Sequence, residues 1–153
     1  FEQYELGEDV RFNLDVYREV NKIYLSQDSY YVYVIGRKGS AMSGYKPKRL
    51  QYQLQELKMV DDLLSDWNLD SSGFDKTIKS RILMSNIYNI SKQNTQVSIK
   101  LKYVKDICEN KVIKSFIYTE ENDLKPFIKY LLKHKMYRTV LFLKKVQALI
   151  KRS

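Results

Sequence analysis

The chain has 153 residues, of which 44% are hydrophobic and 29% charged, with a formal net charge of +9 and one cysteine. The apolar fraction is high enough for a packed core, which argues against wholesale disorder. Cys108 has no partner within the chain, which rules out an internal disulfide framework and fits a reducing compartment. The longest unbroken apolar run, Tyr30 to Ile35, is six residues, far below the roughly 20 that span a bilayer.

The location of the charge says more than its size. Residues 123–153 hold seven Lys, Arg138 and Arg152 against the single acid Asp123, a net +8, while the rest of the chain is close to neutral at +1. A partner selected by charge would therefore meet the C-terminal segment. The first residue is Phe, and the expectation is a chain cut from a longer one.

In chain order, Val10, Leu14, Tyr17 and Val20 predict a helix over 7–20. Gly7 can open it, and Glu8 and Asp9 sit where the helix dipole favours anions. Residues 22–25 form a short β-type run, and Ser26-Gln27-Asp28 supply turn chemistry. Residues 29–35, rich in Tyr and Val, predict a strand. A glycine-containing loop with Arg37, Lys38 and Ser40 follows to Tyr45.

Everything beyond Tyr45 reads as helical. Pro47 suits a first turn, and Leu50, Leu54, Leu57, Leu64 and Trp67 share a face up to about Asn68. Asp70-Ser71-Ser72-Gly73 break and cap; Phe74, Ile78, Ile82, Ile87 and Ile90 continue to about Ser91. Val97, Leu101, Val104 and Cys108 predict a third such helix, although 97, 99 and 101 also alternate. A short piece over 112–118 follows. Asp123 is the expected cap of the next, with Pro126 in its first turn, and Val140, Leu143, Val146 and Ile150 mark one face of the last. The fold class is mostly α with a small β element, divided near residue 45. Residues 1–45 give one helix and two strands, too few to close a core alone, and 46–153 form a helical region.

Alone, acids in a first helical turn are ordinary caps. The ordered set Gly7-Glu8-Asp9-Val10-Arg11-Phe12-Asn13, Lys22-Ile23-Tyr24-Leu25, Tyr31-Val32-Tyr33 and Gly39-Ser40-Ala41-Met42 says more. It resembles the C-terminal part of the GT-A type catalytic domain of family 2 glycosyltransferases, bacterial enzymes of capsular and surface polysaccharide synthesis above all. The resemblance covers about residues 1 to 50 and implies the end of an α/β catalytic domain followed by a helical bundle. It implies inverting transfer of a sugar from a nucleotide-sugar donor to a saccharide or lipid-linked acceptor. Asp9 falls on the family's catalytic base, which must lie within hydrogen-bond reach of the acceptor hydroxyl, and Glu8 would steady the site. Arg11, Arg37, Lys38 and Ser40 are the candidates for holding donor phosphates or acceptor.

The family binds its donor with a divalent metal, Mn or Mg, through an Asp-x-Asp motif. This chain has none, since Asp61-Asp62 are adjacent, so the metal ligands and the donor-binding half are expected outside it and the chain alone is expected to be inactive. Val32 stands where many relatives carry His, and His134 lies far from the motif, so no metal ligand is assigned here.

The C-terminal helices combine apolar stripes with a basic face, the composition of helices that rest on anionic membrane. Lys129, Lys133, Arg138, Lys144 and Lys145 are the candidate contacts with membrane or a partner. The expected location is cytoplasmic, peripheral on the inner face of the membrane. Two other classes fit the totals: a basic module binding nucleic acid, for which no helix-turn-helix or RNA-binding signature exists, and a homo-oligomerisation element using the Leu50–Trp67 face.

Overall fold

The structure, a computed structural model, describes residues 7–20, 22–28 and 45–150. Among these residues it is all-helical: α1 (Glu8–Glu19), α2 (Arg49–Asp66), α3 (Ser72–Lys92), α4 (Val97–Glu109), α5 (Lys111–Tyr118), α6 (Pro126–Lys133) and α7 (Tyr137–Ile150). The strand expected over 29–35 and the loop that follows it lie outside the described residues. The strand expected over 22–25 is absent: residues 22–26 form no ladder, and Tyr24 and Leu25 are 89% and 94% exposed. β-type side chains do not make a strand where no neighbour pairs with them.

α3 is the hub, packing against α2, α4, α5 and α7. Its buried residues Ile82, Leu83, Asn86, Ile87, Ile90 and Ser91 fall three to four apart in two adjacent columns, so one side faces the core along most of its length. Leu50 and Leu57 of α2, Val104 and Ile107 of α4, and Ile113 and Ile117 of α5 close around it, and Leu131 and Leu132 of α6 join the same core against α5 and α7. Asn86 is fully buried yet donates from Nδ2 to Gln53 Oε1 at 2.7 Å and to the Ile82 carbonyl at 2.8 Å, which joins α2 to α3 through the core.

The helix ends show why the breaks fall where they do. Asn68 and Lys135 take left-handed backbone (φ 55° each) just past α2 and α6. The amides of Leu69 and Met136 then reach back to the Leu64 and Leu131 carbonyls at 2.8 Å each, closing the exposed ends of both helices. Asn110 caps α5, its Oδ1 accepting from the amides of Val112 and Ile113.

Asp123, expected to cap α6, does something else. Lys125 occupies the cap position without a side-chain bond, and Asp123 Oδ2 accepts from Thr77 Oγ1 of α3. Pro126 at the first position needs no cap for its missing amide hydrogen. The face of α7 is also rotated from its expected position. Val140, Leu141 and Ala148 are buried, while Val146 and Ile150 are 37% and 69% exposed, because α7 presents its 140/141/148 stripe to the core.

Candidate functional site

Two polar regions stand out: the start of α1 where it meets α2, and a groove where α7 crosses the end of α3.

α1 opens on Gly7, which adopts left-handed backbone (φ 82°) and accepts from the Arg11 amide at 3.1 Å. The left-handed angle favours glycine, and a side chain there would also meet the carboxyl end of Glu56 on α2, which would have to swing aside. The first turn is thereby held against α2. Asp9 is exposed, and its Oδ1 accepts from the amide of Val10 at 2.9 Å. Arg11 points to α2 and donates from Nη2 to Gln55 Oε1 at 2.9 Å.

Behind Arg11, Arg49 is buried and Glu56 partly buried on the same helix. Burial pushes the Glu56 carboxyl above its ordinary value; Arg11 opposes that shift, Asp9 adds to it, and Arg49 opposes it last. Burial likewise pulls the Arg49 guanidinium below its ordinary value, with Glu56 opposing. Arg49 is 8% exposed, and its Nε has no hydrogen-bond partner among the described residues. Gln55 also lines a cavity of about 500 Å³ on the other flank of α2, with Tyr45, Gln51, Lys58, Asp106 and Asn110 around it. Tyr45 in turn packs against Tyr103, ring centres 5.0 Å apart.

The second region is built by three elements. α3 ends at Lys92, residues 93–96 turn the chain, and α4 begins at Val97. Lys100, one turn into α4, reaches back and donates from Nζ to the Ser91 carbonyl at 3.0 Å. That places a cation at the negative end of the α3 dipole and fixes its side chain. α7 crosses above, and Arg138, Leu141, Phe142 and Lys145 fall three to four residues apart on one of its faces. Two adjoining cavities, of about 430 and 330 Å³, share Ser91, Val97, Lys100 and Lys145 as lining. No Asp or Glu lines either. Burial lowers the Lys100 ammonium below its ordinary value, and Lys145 lowers it further.

The expected site residues are thus distributed. Asp9 and Arg11 lie at the same end of α1; of the Glu8 side chain nothing is described, and Arg37, Lys38 and Ser40 lie outside the described residues. Of the five expected C-terminal contacts, Arg138 and Lys145 line the groove. Lys144 donates to Gln147 Oε1 at 2.9 Å. Lys129 donates to the Thr119 and Glu120 carbonyls at 2.8 and 2.9 Å, closing the end of α5, and Lys133 lies over the Tyr118 ring at 5.6 Å. Asp61 is partly buried, and burial first, then Asp75, pushes its carboxyl up.

Sequence reasoning missed Glu56 and Lys100. For Glu56 the available signal was Gly7, whose missing side chain makes room for a carboxyl forty-nine positions away. Among the described residues no group of His, Cys, Asp and Glu is placed to hold a metal ion, and no helix is long and apolar enough to cross a membrane. No protein-family model, curated protein or solved structure matches the chain.

Proposed function

We propose that the chain is the C-terminal portion of a family-2-like, GT-A type glycosyltransferase, in which Asp9 is the base that deprotonates an acceptor hydroxyl. The observation that carries this reading is the ordered motif set over residues 7–42, joined to the way α1 begins. The helix opens at Glu8 as the acid-pair motif requires, and Asp9 keeps its carboxylate exposed in the first turn.

The chemistry asks little more of this part of the molecule. A carboxylate takes the proton as the acceptor oxygen attacks the anomeric carbon and the nucleoside diphosphate departs from the other face. The positive end of the α1 dipole favours negative charge at that place. Arg11, tied to Gln55, and Gly7, seated on Glu56, hold α1 at a fixed position on α2, which fixes where the base stands. The cavity on α2 beside Gln55 offers amides, a carboxylate and the Tyr45 ring, the kinds of group that bind sugar hydroxyls and ring faces. A divalent metal belongs to the same reading, and nothing described in this chain would hold it; donor binding falls to an Asp-x-Asp region preceding Phe1 in the complete polypeptide.

The test is Asp9→Asn in the complete polypeptide. Transfer should fall by about 10²–10⁴-fold, the range for losing a general base, while nucleotide-sugar binding persists. Activity retained by the variant would overturn the assignment of Asp9.

A further inference from the structure

The groove between the α3–α4 turn and α7 is a place where the protein gathers positive charge without answering it. Lys100, Arg138 and Lys145 arrive from two helices, and the structure gives Arg138 and Lys145 no carboxylate partner among the described residues. Lys92 lines the adjoining cavity, its ammonium over the Tyr88 ring at 5.0 Å. Like charges so placed repel, and the lowered Lys100 ammonium registers both that repulsion and the burial.

The rest of the lining is apolar. Leu141 is buried in the floor. Val97 and Phe142 at the rim are 60% and 65% exposed, and Leu149 beside them is 59% exposed. A groove with Lys100 held and partly buried, Arg138 and Lys145 exposed beside it, and exposed apolar side chains on its lip suits an anion that carries a hydrocarbon tail. A free anion would leave the lip unused, and an apolar peptide would leave the cations unanswered.

We propose that this groove binds the phosphate of an anionic membrane lipid, with Lys100, Arg138 and Lys145 around the headgroup and Phe142 and Leu149 set into the bilayer interface. Lys100 is the fixed element, because its bond to the Ser91 carbonyl holds one of its protons and leaves the others to the phosphate. Arg138 adds a planar donor pair suited to two phosphate oxygens, and Lys145 adds charge. Membrane contact is then localised to one groove and not spread over the whole basic segment. Lys129 and Lys133, already engaged within the protein, contribute little. The inference rests on the groove alone and needs no transfer activity, so it stands or falls separately from the glycosyltransferase reading.

Vesicle co-sedimentation tests it. The chain should pellet with phosphatidylcholine vesicles that contain phosphatidic acid and stay in solution with phosphatidylcholine alone. The triple variant Lys100→Ala, Arg138→Ala, Lys145→Ala should weaken partitioning by on the order of a hundredfold. A charge-matched control, Lys48→Ala, Lys111→Ala, Lys125→Ala, removes three exposed lysines outside the groove and should weaken it by less than roughly fivefold. Equal losses in the two variants would overturn the proposal in favour of diffuse electrostatic attraction. Complete displacement by soluble glycerol phosphate would overturn it in favour of a free-phosphate site. Phe142→Trp, combined with Trp67→Phe to remove the native indole, provides a readout with the cations intact. Its emission should shift to the blue on anionic vesicles and be quenched by brominated acyl chains; an indole signal indifferent to vesicles would refute insertion of the lip.

Discussion

Where α1 meets α2, Arg11 and Arg49 face Glu56, and Asp9 lies within range of the same carboxyl. Where α7 crosses α3, Lys100 and Lys145 face each other, Arg138 stands beside them, and no carboxylate lines the groove. The first region takes Arg49 and part of Glu56 out of water and the second takes part of Lys100, which is unfavourable unless opposite charge or hydrogen bonds compensate. The first region compensates internally: its cations and its carboxylate oppose one another's shifts, and the result is a fixed seat for α1. The second offers Lys100 the Ser91 carbonyl and no carboxylate, while Arg138 and Lys145 remain exposed to water.

The two regions share α3. Asn86 faces α2 through Gln53, and Ser91, little more than a turn further on, accepts from Lys100. The strongest way to break the comparison is therefore at the centre of that helix. Ile87→Ala, at a position with no solvent exposure, should cost about 2–5 kcal/mol, read as a lower urea midpoint. Amide exchange should then quicken on α2 and α7 alike. Loss of protection on one side only would mean that the two ends are separate cooperative units.

The contrast between the ends was only partly legible in the amino-acid order. Helices were readable because burial on one side imposes a 3.6-residue spacing: Leu50 and Leu57, Ile82 and Ile90, Val104 and Cys108 all point inward as their spacing says. The rotated face of α7 was not, because Val140, Leu141, Leu143, Val146 and Ile150 offer several apolar stripes, and only docking onto α3 chooses among them. The cap expected of Asp123 failed for a similar reason, since Thr77, forty-six residues earlier, takes the carboxylate. The basic character of the C-terminus was plain in the composition, but its distribution was not. Lys100 comes from α4, outside the basic block, while Lys129 and Lys133, inside it, turn to the backbone and to Tyr118. In each case, whether a charge answers a neighbour or waits for a ligand depends on contacts between residues distant in sequence.

Charge reversal sharpens the contrast, because the same operation should act with opposite sign at the two ends. Glu56→Lys would place a third cation beside Arg11 and Arg49 and should lower stability by on the order of 1 kcal/mol. Lys145→Glu would place an acid beside Lys100, replacing repulsion with attraction, and should raise stability by a few tenths of a kcal/mol, up to about 1. Urea midpoints at low salt check both, and added salt should shrink both differences. A loss of stability in both variants would mean that the groove cations already have a compensating partner.

The smallest effect probes the balanced end through pH. Burial is the largest influence on Glu56 and raises its folded value above the ordinary 4.5. Below 4.5 the carboxyl is protonated in folded and unfolded chain alike and contributes nothing to pH dependence. Between 4.5 and the raised folded value the folded chain holds the proton more tightly, so stability declines as pH rises through that window, and above it the loss is constant. Glu56→Gln keeps the shape and removes the ionisation. Its stability should match that of the parent chain in acid and exceed it slightly at neutral pH, by well under ~1 kcal/mol, because the group is only partly buried and therefore screened. The curve of the variant should also lack the parent's decline across that window. If Gln instead lowers stability at neutral pH, the attraction of Arg11 and Arg49 outweighs the burial of the carboxylate, and the seat of α1 is held by an ion pair rather than by fit against Gly7.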